Sequence, residues 1–311
     1  MKVLITGATG FIGSRLAEIL CAHGHTVTGL SRNPESAKER APAVSRFYAW
    51  DGISVPPAEA IAEADAVVNL AGETVNGRWT AAKKQRILDS RINATRAIVS
   101  AMTSTDGPKV LINGGAVGFY GDRGDEVLTE TSGRGGGFLA DVVEAWEREA
   151  FNAEEAGVRV VSLRTGIVLG PEGGALEPLQ RLFNVGMGGP VGSGKQWWPW
   201  VHRDDVVSAI EFVLTREVQG VFNVTAPNPA RQKDFAKALG SVMGRPSILP
   251  APAFAVRLVQ GGFADEVLFS KRVLPKRLEE AGFVFMFPHL EPALREALNR
   301  GGSHERAPVG V

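Results

Sequence analysis

The sequence predicts an α/β fold, in which a doubly wound parallel sheet carries helices on both faces and a smaller lobe follows. Three observations lead to this prediction. Short apolar runs alternate with helical patterns through the first half of the 311 residues, as in β-α-β units. A glycine-rich turn joins the first apolar run to the first helix. Glycine and proline become dense after about residue 166.

Seven short apolar runs, rich in β-branched residues, are predicted as strands. They lie at 3–5, 25–30, 46–51, 65–72, 109–113, 159–164 and 221–224, the last of which is expected to return the chain to the sheet edge. A first helix follows the glycine-rich turn, a long one is predicted over about 80–102, and another over 141–156, where Val142 and Trp146 contribute to a partly apolar face.

Gly7, Gly10 and Gly13 are spaced G-x-x-G-x-x-G between the first strand and the first helix. Glycine at such a joint permits a tight turn, close approach of the backbone to a pyrophosphate, and close packing of helix and sheet. The helix N-terminus also offers unpaired N–H groups to phosphate oxygens. The turn therefore predicts a dinucleotide-binding site. The residues expected to bind the pyrophosphate are Gly7, Thr9, Gly10, Phe11, Ile12 and Gly13.

The change in composition near residue 166 gives the expected domain boundaries. Residues 1–166 with about 220–226 are predicted to form the dinucleotide-binding Rossmann-type domain. Residues 167–219 and 227–300 are predicted to form a smaller substrate lobe over the carboxyl ends of the strands, where open α/β sheets bind ligands. Residues 301–311 are expected to be a flexible tail.

Composition excludes several classes of protein. Lys plus Arg equals Asp plus Glu at 34 each, so no overall field favours nucleic acid or an anionic membrane. No apolar run reaches membrane-spanning length. The single cysteine, Cys21, rules out an internal disulfide, and with five scattered histidines it gives no metal-ligand spacing. We expect a cytoplasmic protein that binds no metal and takes a small-molecule substrate.

Ser31 and Arg32, at the end of the second predicted strand, determine the expected coenzyme. Sites selective for NAD place Asp or Glu about 20 residues past the glycines, to bind the ribose 2′-hydroxyl. Here no acid appears before Glu35, and a guanidinium can pair with a 2′-phosphate. The sequence therefore predicts NADP(H), the alternative being a solvated arginine without this preference. Asp51, ending the third predicted strand, would contact the adenine amino group or cap a turn.

Several motifs together resemble those of one family. They include GRWT at 77–80, SRI at 90–92, LRTGIVLG at 163–170, GSGKQW at 192–197 and WVHRDD at 200–205. With the glycine-rich turn, they resemble the bacterial epimerase-like family of atypical short-chain dehydrogenases/reductases, over nearly all of residues 1–298. The stretch 273–285 is similar to that family's C-terminal domain of unknown function. The resemblance implies an extended Rossmann-type fold with a smaller C-terminal α/β lobe, and nucleotide binding. We expect the residues Leu70, Ala71, Gly72 and Glu73 to pass the ribose and nicotinamide.

The proton-transfer residues of that superfamily are missing. Its ordinary members use a Tyr-x-x-x-Lys pair, in which the lysine lowers the pKa of the tyrosine. Four residues after Tyr48 and Tyr120, the two tyrosines of this chain, stand glycines. The resemblance aligns Phe138 and Val142 with the usual tyrosine and lysine. It aligns Gly115 with the usual serine, and Arg91 with the usual helix asparagine.

Two residues are candidates to replace the missing acid and base. Tyr120 follows the fifth predicted strand, and the alternative for it is a structural role in a pocket wall or turn. His202 has a suitable intrinsic pKa, but the following Asp204 and Asp205 also fit a helix N-cap. Arg164, ending the sixth strand, would hold an anionic substrate or form a buried ion pair.

Trp197, Trp198 and Trp200 account for half of the six tryptophans. Aromatic walls suit an apolar substrate and exclude water from a hydride-transfer site, so we expect at least one of the three to line the cleft. The alternative is that they fill the core between the lobes.

The sequence thus favours an NADP(H)-binding oxidoreductase acting on a small organic substrate, with a homodimer as a possible assembly. The lost proton-transfer set favours an alternative of another class, a non-catalytic NADP(H) sensor, for example in cell division. A sugar-nucleotide epimerase is the third alternative, although it needs the same missing residues.

Overall fold

The computed structural model describes residues 1–105, 107–171 and 173–298, and a seven-stranded parallel sheet lies at its centre. The predicted tail at 301–311 lies outside the described residues. The strands are β1 (Lys2–Thr6), β2 (Thr26–Ser31), β3 (Arg46–Ala49), β4 (Ala66–Asn69), β5 (Val110–Ala116), β6 (Val127–Leu128), β7 (Arg159–Thr165), β8 (Ile167–Leu169), β9 (Trp197–Trp198), β10 (Trp200–His202), β11 (Gly220–Val224), β12 (Ala230–Arg231) and β13 (Arg272–Val273).

The helices pack on both faces of the sheet and build the smaller lobe. They are α1 (Gly13–Ala22), α2 (Pro34–Arg40), α3 (Ala58–Ala62), α4 (Ala81–Thr103), α5 (Phe138–Phe151), α6 (Leu176–Asn184), α7 (Arg203–Thr215), α8 (Gln232–Met243), α9 (Ala253–Gln260), α10 (Ala264–Leu268), α11 (Lys276–Glu280) and α12 (Leu290–Ala297). Two short 3-10 turns are present at Val117–Tyr120 and Asn152–Ala156.

The sheet order is β11-β7-β5-β4-β1-β2-β3, with parallel pairing throughout. Alternation along β1 explains its central place, since Val3 and Ile5 enter the core on one face and Leu4 enters the core on the other. The predicted Rossmann-type fold is therefore confirmed. The order reverses at β1 and β4, which is where such sheets open a crevice for ligands.

The chain returns to the sheet edge at β11, which pairs with β7 from Val161 to Thr165. The C-terminal segment, which runs from α9 to α12 (residues 253–297), covers this edge. Its strand β13 pairs with β6, and Arg277 donates hydrogen bonds to the carbonyls of Val221 and Gln219. Residues of the C-terminal segment thus stabilise the outermost strand of the sheet.

The helix predicted over about 80–102 is α4, whose N-cap Thr80 accepts a hydrogen bond from the Lys83 N–H. The helix predicted over 141–156 begins earlier, at Phe138 after Gly137, and ends in a 3-10 turn. In the part of the chain that the structure describes, no helix is both long and apolar enough to span a bilayer.

Candidate functional site

A cleft of about 690 Å³ lies at the carboxyl ends of β1, β2 and β4. The glycine-rich loop, the loop after β3 and one face of α4 complete its walls. Ten residues that the sequence assigned to the coenzyme line it: Gly7, Thr9, Gly10, Ser31, Arg32, Asp51, Leu70, Ala71, Gly72 and Glu73. The structure therefore brings together residues from four separate stretches of the sequence.

The glycine-rich loop needs glycine at two positions for different reasons. Gly7 has a φ of +70°, and a Cβ there would lie 3.0 Å from the Leu70 carbonyl. A Cβ on Gly13 would lie 2.2 Å from the Gly7 carbonyl oxygen, because α1 packs directly on the loop. Gly7 thus shapes the cleft, whereas Gly13 seats the helix beside it.

Three residues expected at the pyrophosphate do not line this cleft, namely Phe11, Ile12 and Gly13. Gly13 is buried under the loop. The Phe11 ring packs instead against Gly170 and the loop after it, with the Arg203 guanidinium carbon 5.0 Å from the ring centroid. The Phe11 side chain therefore fastens the loop to the smaller lobe.

A buried polar network supports the cleft from below. The Thr6 hydroxyl accepts hydrogen bonds from the N–H groups of Leu70 and Ala71, both at 3.0 Å, and donates to Asn69 Oδ1 at 2.7 Å. The Asn69 amide in turn donates to the Thr95 hydroxyl on α4. This network fixes the end of β4 relative to β1. Sequence reasoning missed it, since its members are ordinary strand and helix residues until the fold brings them together.

Cationic side chains surround the cleft. Arg32, from the end of β2, is joined by Arg40 on α2 and Arg86 on α4, which the sequence analysis did not assign. Glu73 is paired with Lys83 at 2.6 Å, and that hydrogen bond holds the pKa of the Glu73 carboxyl below its usual value. An ionised, lysine-bound Glu73 is a poor general acid at neutral pH. The acids Asp51, Glu73 and Asp89 also line the cleft, so the three arginines offer local sites for an anion and the lining as a whole has no excess of positive charge.

Asp51 lines the cleft but its carboxylate is engaged in a turn. Oδ1 accepts hydrogen bonds from the N–H groups of Ile53 and Ser54 and from the Ser54 hydroxyl. The backbone hydrogen bonds lower the pKa of Asp51. The turn-capping alternative therefore describes this residue.

Tyr120 is not placed for catalysis. It is fully buried, and its hydroxyl donates toward Asn223 Oδ1 (2.7 Å) and the Thr129 carbonyl (3.0 Å) while accepting from Arg164 Nη1 (3.2 Å). Burial raises the pKa of the phenol, the opposite of what a proton-transferring tyrosine needs. The structural alternative for Tyr120 describes this geometry.

Arg164 forms a buried ion pair and does not face the cleft. Its Nε and Nη2 donate to the two carboxylate oxygens of Glu147 at 2.9 and 2.7 Å, and both side chains are at most 8% exposed. The guanidinium carbon also lies 3.3 Å from the Phe119 ring centroid. An anionic substrate would have to displace Glu147, so the substrate role is corrected to a structural one.

His202 is also buried and fully partnered. Its Nδ1 accepts from the Asp204 N–H, which makes His202 itself the N-cap of α7, and Nε2 lies 2.7 Å from a carboxylate oxygen of Glu296. The expected caps act elsewhere: Asp204 pairs with Arg15, and Asp205 accepts from backbone N–H groups in the C-terminal segment. His202 thus fastens α12 to β10 and does not line the cleft.

None of the three tryptophans is among the described residues that line this cleft. Trp198 and Trp200 are buried in the core of the smaller lobe, where their indole N–H groups donate to the carbonyls of Val267 and Asn228. Trp197 is partly exposed between two arginines. The core-filling alternative describes Trp198 and Trp200.

The helix positions aligned with the family's tyrosine and lysine carry apolar groups. The Phe138 ring stacks edge-on against Trp79, with centroids 5.2 Å apart, and Val142 is buried in the same cluster. Phe263 closes the cluster from the C-terminal segment. No side chain of this cluster can transfer a proton.

Comparisons with known proteins agree with this architecture. The model of the NAD dependent epimerase/dehydratase family matches residues 3–225, and that of a domain of unknown function, DUF1731, matches residues 251–297. The chloroplastic epimerase family protein SDR39U1 homolog of Arabidopsis thaliana is 40% identical over 303 residues, covering 95% of this chain and 86% of that protein. Epimerase family protein YfhF of Bacillus subtilis is 36% identical over 301 residues, covering 96% and 98%.

Solved structures show the same relationship. Human epimerase family protein SDR39U1 (isoform 2), crystallised with NADPH, superimposes with a TM-score of 0.86 at 33% identity, covering 96% of this chain and 99% of that one. UDP-glucuronic acid 4-epimerase from Bacillus cereus, solved with NAD, has a TM-score of 0.78 at 17% identity, a likeness of fold alone, covering 96% of each chain. The family predicted from the motifs is confirmed: this chain belongs to the NAD dependent epimerase/dehydratase family, among the epimerase family proteins that end in a DUF1731 domain.

Proposed function

We propose that this protein binds NADP(H) in the cleft beside the glycine-rich loop and uses it to reduce or oxidise a small organic substrate. The observation that carries the proposal is the end of β2, where Ser31 and Arg32 line the cleft and no acid follows in the sequence before Glu35. The NADPH held by the human relative supports the same choice. When bound, the coenzyme supplies the hydride chemistry.

The chain's own residues divide the binding between them. The N–H groups of the Gly7–Gly10 loop and of α1 meet the pyrophosphate. Arg32, at the end of β2, supplies positive charge for a 2′-phosphate. Arg86 lies 3.8 Å from a carboxylate oxygen of Glu73 and belongs to that part of the cleft. The backbone at the end of β4, held by Thr6, passes the nicotinamide half.

A sensor without turnover is the second candidate, and one observation favours it. Phe138 and Val142, which the resemblance aligns with the tyrosine and lysine of ordinary superfamily members, are packed with Trp79 and Phe263 in an apolar cluster. Oxidation of bound NADPH, measured against a panel of aldehydes and ketones, separates the two candidates. Turnover of any member supports the oxidoreductase, whereas tight NADPH binding without turnover across the panel supports the sensor.

Coenzyme choice is tested by calorimetric titration of NADPH and NADH into the wild type and into Arg32→Asp. Loss of a charge-assisted contact should weaken NADPH binding by about 1–3 kcal/mol more than NADH binding. Arg257→Asp is the control, because Arg257 is exposed on α9 outside the cleft. Equal losses for the two coenzymes, or no binding of either to the wild type, would refute the assignment.

A further inference from the structure

Helices α4 and α5 face each other beside the cleft. The superfamily's lysine would lie on α5, whereas the cations at this interface come from α4. On α5 the residues at the interface are Phe138, Val142 and Trp146, spaced by four. On α4, Lys84 lies 5.2 Å from the Phe138 ring centroid, and the Arg91 guanidinium carbon lies 5.1 Å from the Trp146 ring centroid. The α5 face is therefore apolar, and the cations come from α4.

The Arg91 guanidinium is held by hydrogen bonds from one of its nitrogens, Nη1. Its Nη1 donates to the backbone carbonyls of Glu73 (3.0 Å) and Ile87 (3.1 Å). Trp146 forms the platform below it, and the indole N–H of Trp146 is itself fixed by the Thr95 hydroxyl at 2.8 Å. Burial lowers the pKa of Arg91 to about 10. The guanidinium thus keeps its charge at neutral pH in a position that disfavours charge.

The other edge of the guanidinium, formed by Nε and Nη2, makes no hydrogen bond within the described residues. The Nε atoms of Arg203 and Arg272 are fully buried without a hydrogen-bond partner. Arg91 Nε and Nη2 are not in this group, so these two unbonded atoms keep some access to solvent. The carboxylate of Glu73 acts on Arg91 through space but is itself bonded to Lys83. Two parallel N–H donors of this kind match the two oxygens of a carboxylate or phosphate.

Gly72 connects this edge with the cleft. A Cβ built on Gly72 would lie 3.1 Å from the guanidinium carbon, 3.2 Å from Nη1 and 3.3 Å from Nη2, so the face of the guanidinium lies against the backbone of a cleft-lining residue. Ser90, the neighbour of Arg91 on α4, also lines the cleft. Arg91 itself is not among the described residues that line the cleft, so its guanidinium lies just behind this wall, and a ligand would meet the Nε–Nη2 edge only by passing the Gly72 backbone.

We propose that the Nε–Nη2 edge of Arg91 binds an oxyanion, a carboxylate or phosphate, at the β4 end of the cleft, and so supplies the fixed cation that α5 lacks. The inference rests on the proposed function for its ligands, since the oxyanion belongs either to a carboxylate of the substrate or to the coenzyme pyrophosphate. Arg91 is a binding residue in this proposal, and no proton leaves it.

The test compares Arg91→Met, Arg91→Lys and the control Arg96→Met by calorimetry. Arg96 lies on the same helix but is exposed and paired with Glu149. NADPH is titrated into each protein, and oxalate, a compact dicarboxylate, is titrated into each protein with and without NADPH. Circular dichroism first establishes that each variant is folded; if Arg91→Met is not, Arg91→Lys carries the test, because it keeps the charge and loses the paired donors.

A substrate carboxylate predicts oxalate binding to the wild type that falls about tenfold or more in the Arg91 variants, with unchanged NADPH affinity. A coenzyme oxyanion predicts that NADPH and NADH affinities both fall about tenfold while Arg96→Met stays at the wild-type value. Unchanged affinities for coenzyme and oxalate in the Arg91 variants, or no oxalate binding to the wild type with unchanged coenzyme affinity, overturn the proposal. Failure of wild-type NADPH binding overturns the proposed function instead, and the oxalate titration of the free protein still tests Arg91.

Discussion

At the scale of single residues, the type of side chain says less about its role than its hydrogen-bond partners do. Tyr120 and His202 are chemically able to move protons, yet both are buried with their polar atoms engaged. The resemblance marks Arg91 only as the residue in place of a helix asparagine, and in the structure its Nε and Nη2 make no hydrogen bond within the described residues. Burial and partners, which come from distant parts of the chain, separate these cases.

Replacing Tyr120 by Phe tests its structural role. The change leaves Asn223 Oδ1 and a donor of Arg164 without a partner in a buried site, so the free energy of unfolding in urea should fall by about 1–3 kcal/mol. Coenzyme affinity should stay at the wild-type value. Tyr48→Phe is the matched control and should cost less, because its partner Glu63 is exposed. Wild-type stability together with a selective loss of turnover would return Tyr120 to the catalytic candidates.

The residues of the coenzyme cleft were predictable to the extent that a local pattern signals them. Gly7, Gly10 and Arg32 belong to one β-α-β unit, in which Arg32 follows the second strand, and its spacing is read directly from the sequence. Arg40 and Arg86 carry no such signal, since exposed arginines on helices usually face solvent. Their place in the cleft follows from how α2 and α4 pack on the sheet.

At the scale of elements, prediction succeeded where an element is defined by its own residues. The strand β1, the turn after it and α1 are such a unit, and α4 has its N-cap three residues before Lys83. The strands β8 and β10 pair with each other across more than thirty residues, and at three residues each they are too short to be recognised alone. The N-cap of α7 was expected at Asp204 or Asp205 and is His202, because the two carboxylates are engaged by partners distant in the sequence, Arg15 and the backbone of Met286 and Phe287.

The contact of α1 with the glycine-rich loop gives an element-scale prediction. In Gly13→Ala the new methyl group meets the Gly7 carbonyl oxygen at 2.2 Å, a backbone atom that cannot turn aside. The helix must move away from the loop, so we expect thermal unfolding to show a loss of about 1–3 kcal/mol. NADPH affinity should fall as well. The control Gly133→Ala, where a Cβ meets nothing within 4 Å, should leave both unchanged; equal behaviour of the two variants would contradict the packing argument.

At the scale of the whole molecule, buried polar contacts join the sheet to the C-terminal segment. Asp205, at the start of α7, accepts hydrogen bonds from the backbone N–H groups of Met286 (2.6 Å) and Phe287 (3.0 Å). Burial raises its pKa from 3.8 to about 6. Ionisation of this carboxyl therefore costs more in the folded protein than in the unfolded chain.

This shift predicts how stability depends on pH. A folded-state pKa above the unfolded value stabilises the protein below about pH 4, and the contribution is lost as the pH rises through about 6. Between pH 4 and 7 the free energy of unfolding of Asp205→Asn should therefore gain about 3 kcal/mol relative to the wild type, measured in urea at a series of pH values. Asp265→Asn, a partly exposed control, should follow the wild type throughout. A constant difference between Asp205→Asn and wild type would show that the carboxyl titrates normally.

The sheet, its flanking helices and the family were predictable because apolar periodicity and glycine spacing act over short stretches. The interior of the smaller lobe was not, since Trp198 and Trp200 are hydrophobic in any location and their burial depends on α8 and α12. The homodimer, the cytoplasmic location and the domain boundaries stay predictions.

Because the C-terminal segment covers β11, truncating the protein before this segment should affect its solubility. In the C-terminal segment, Arg277 donates to the carbonyls of Val221 and Gln219, and β13 pairs with β6. A fragment that ends near residue 250 lacks these contacts and would expose the edge of the sheet at β11. Such a fragment is expected to precipitate during purification. When the two fragments are coexpressed, they should assemble into a non-covalent complex, because their contact surfaces are complementary.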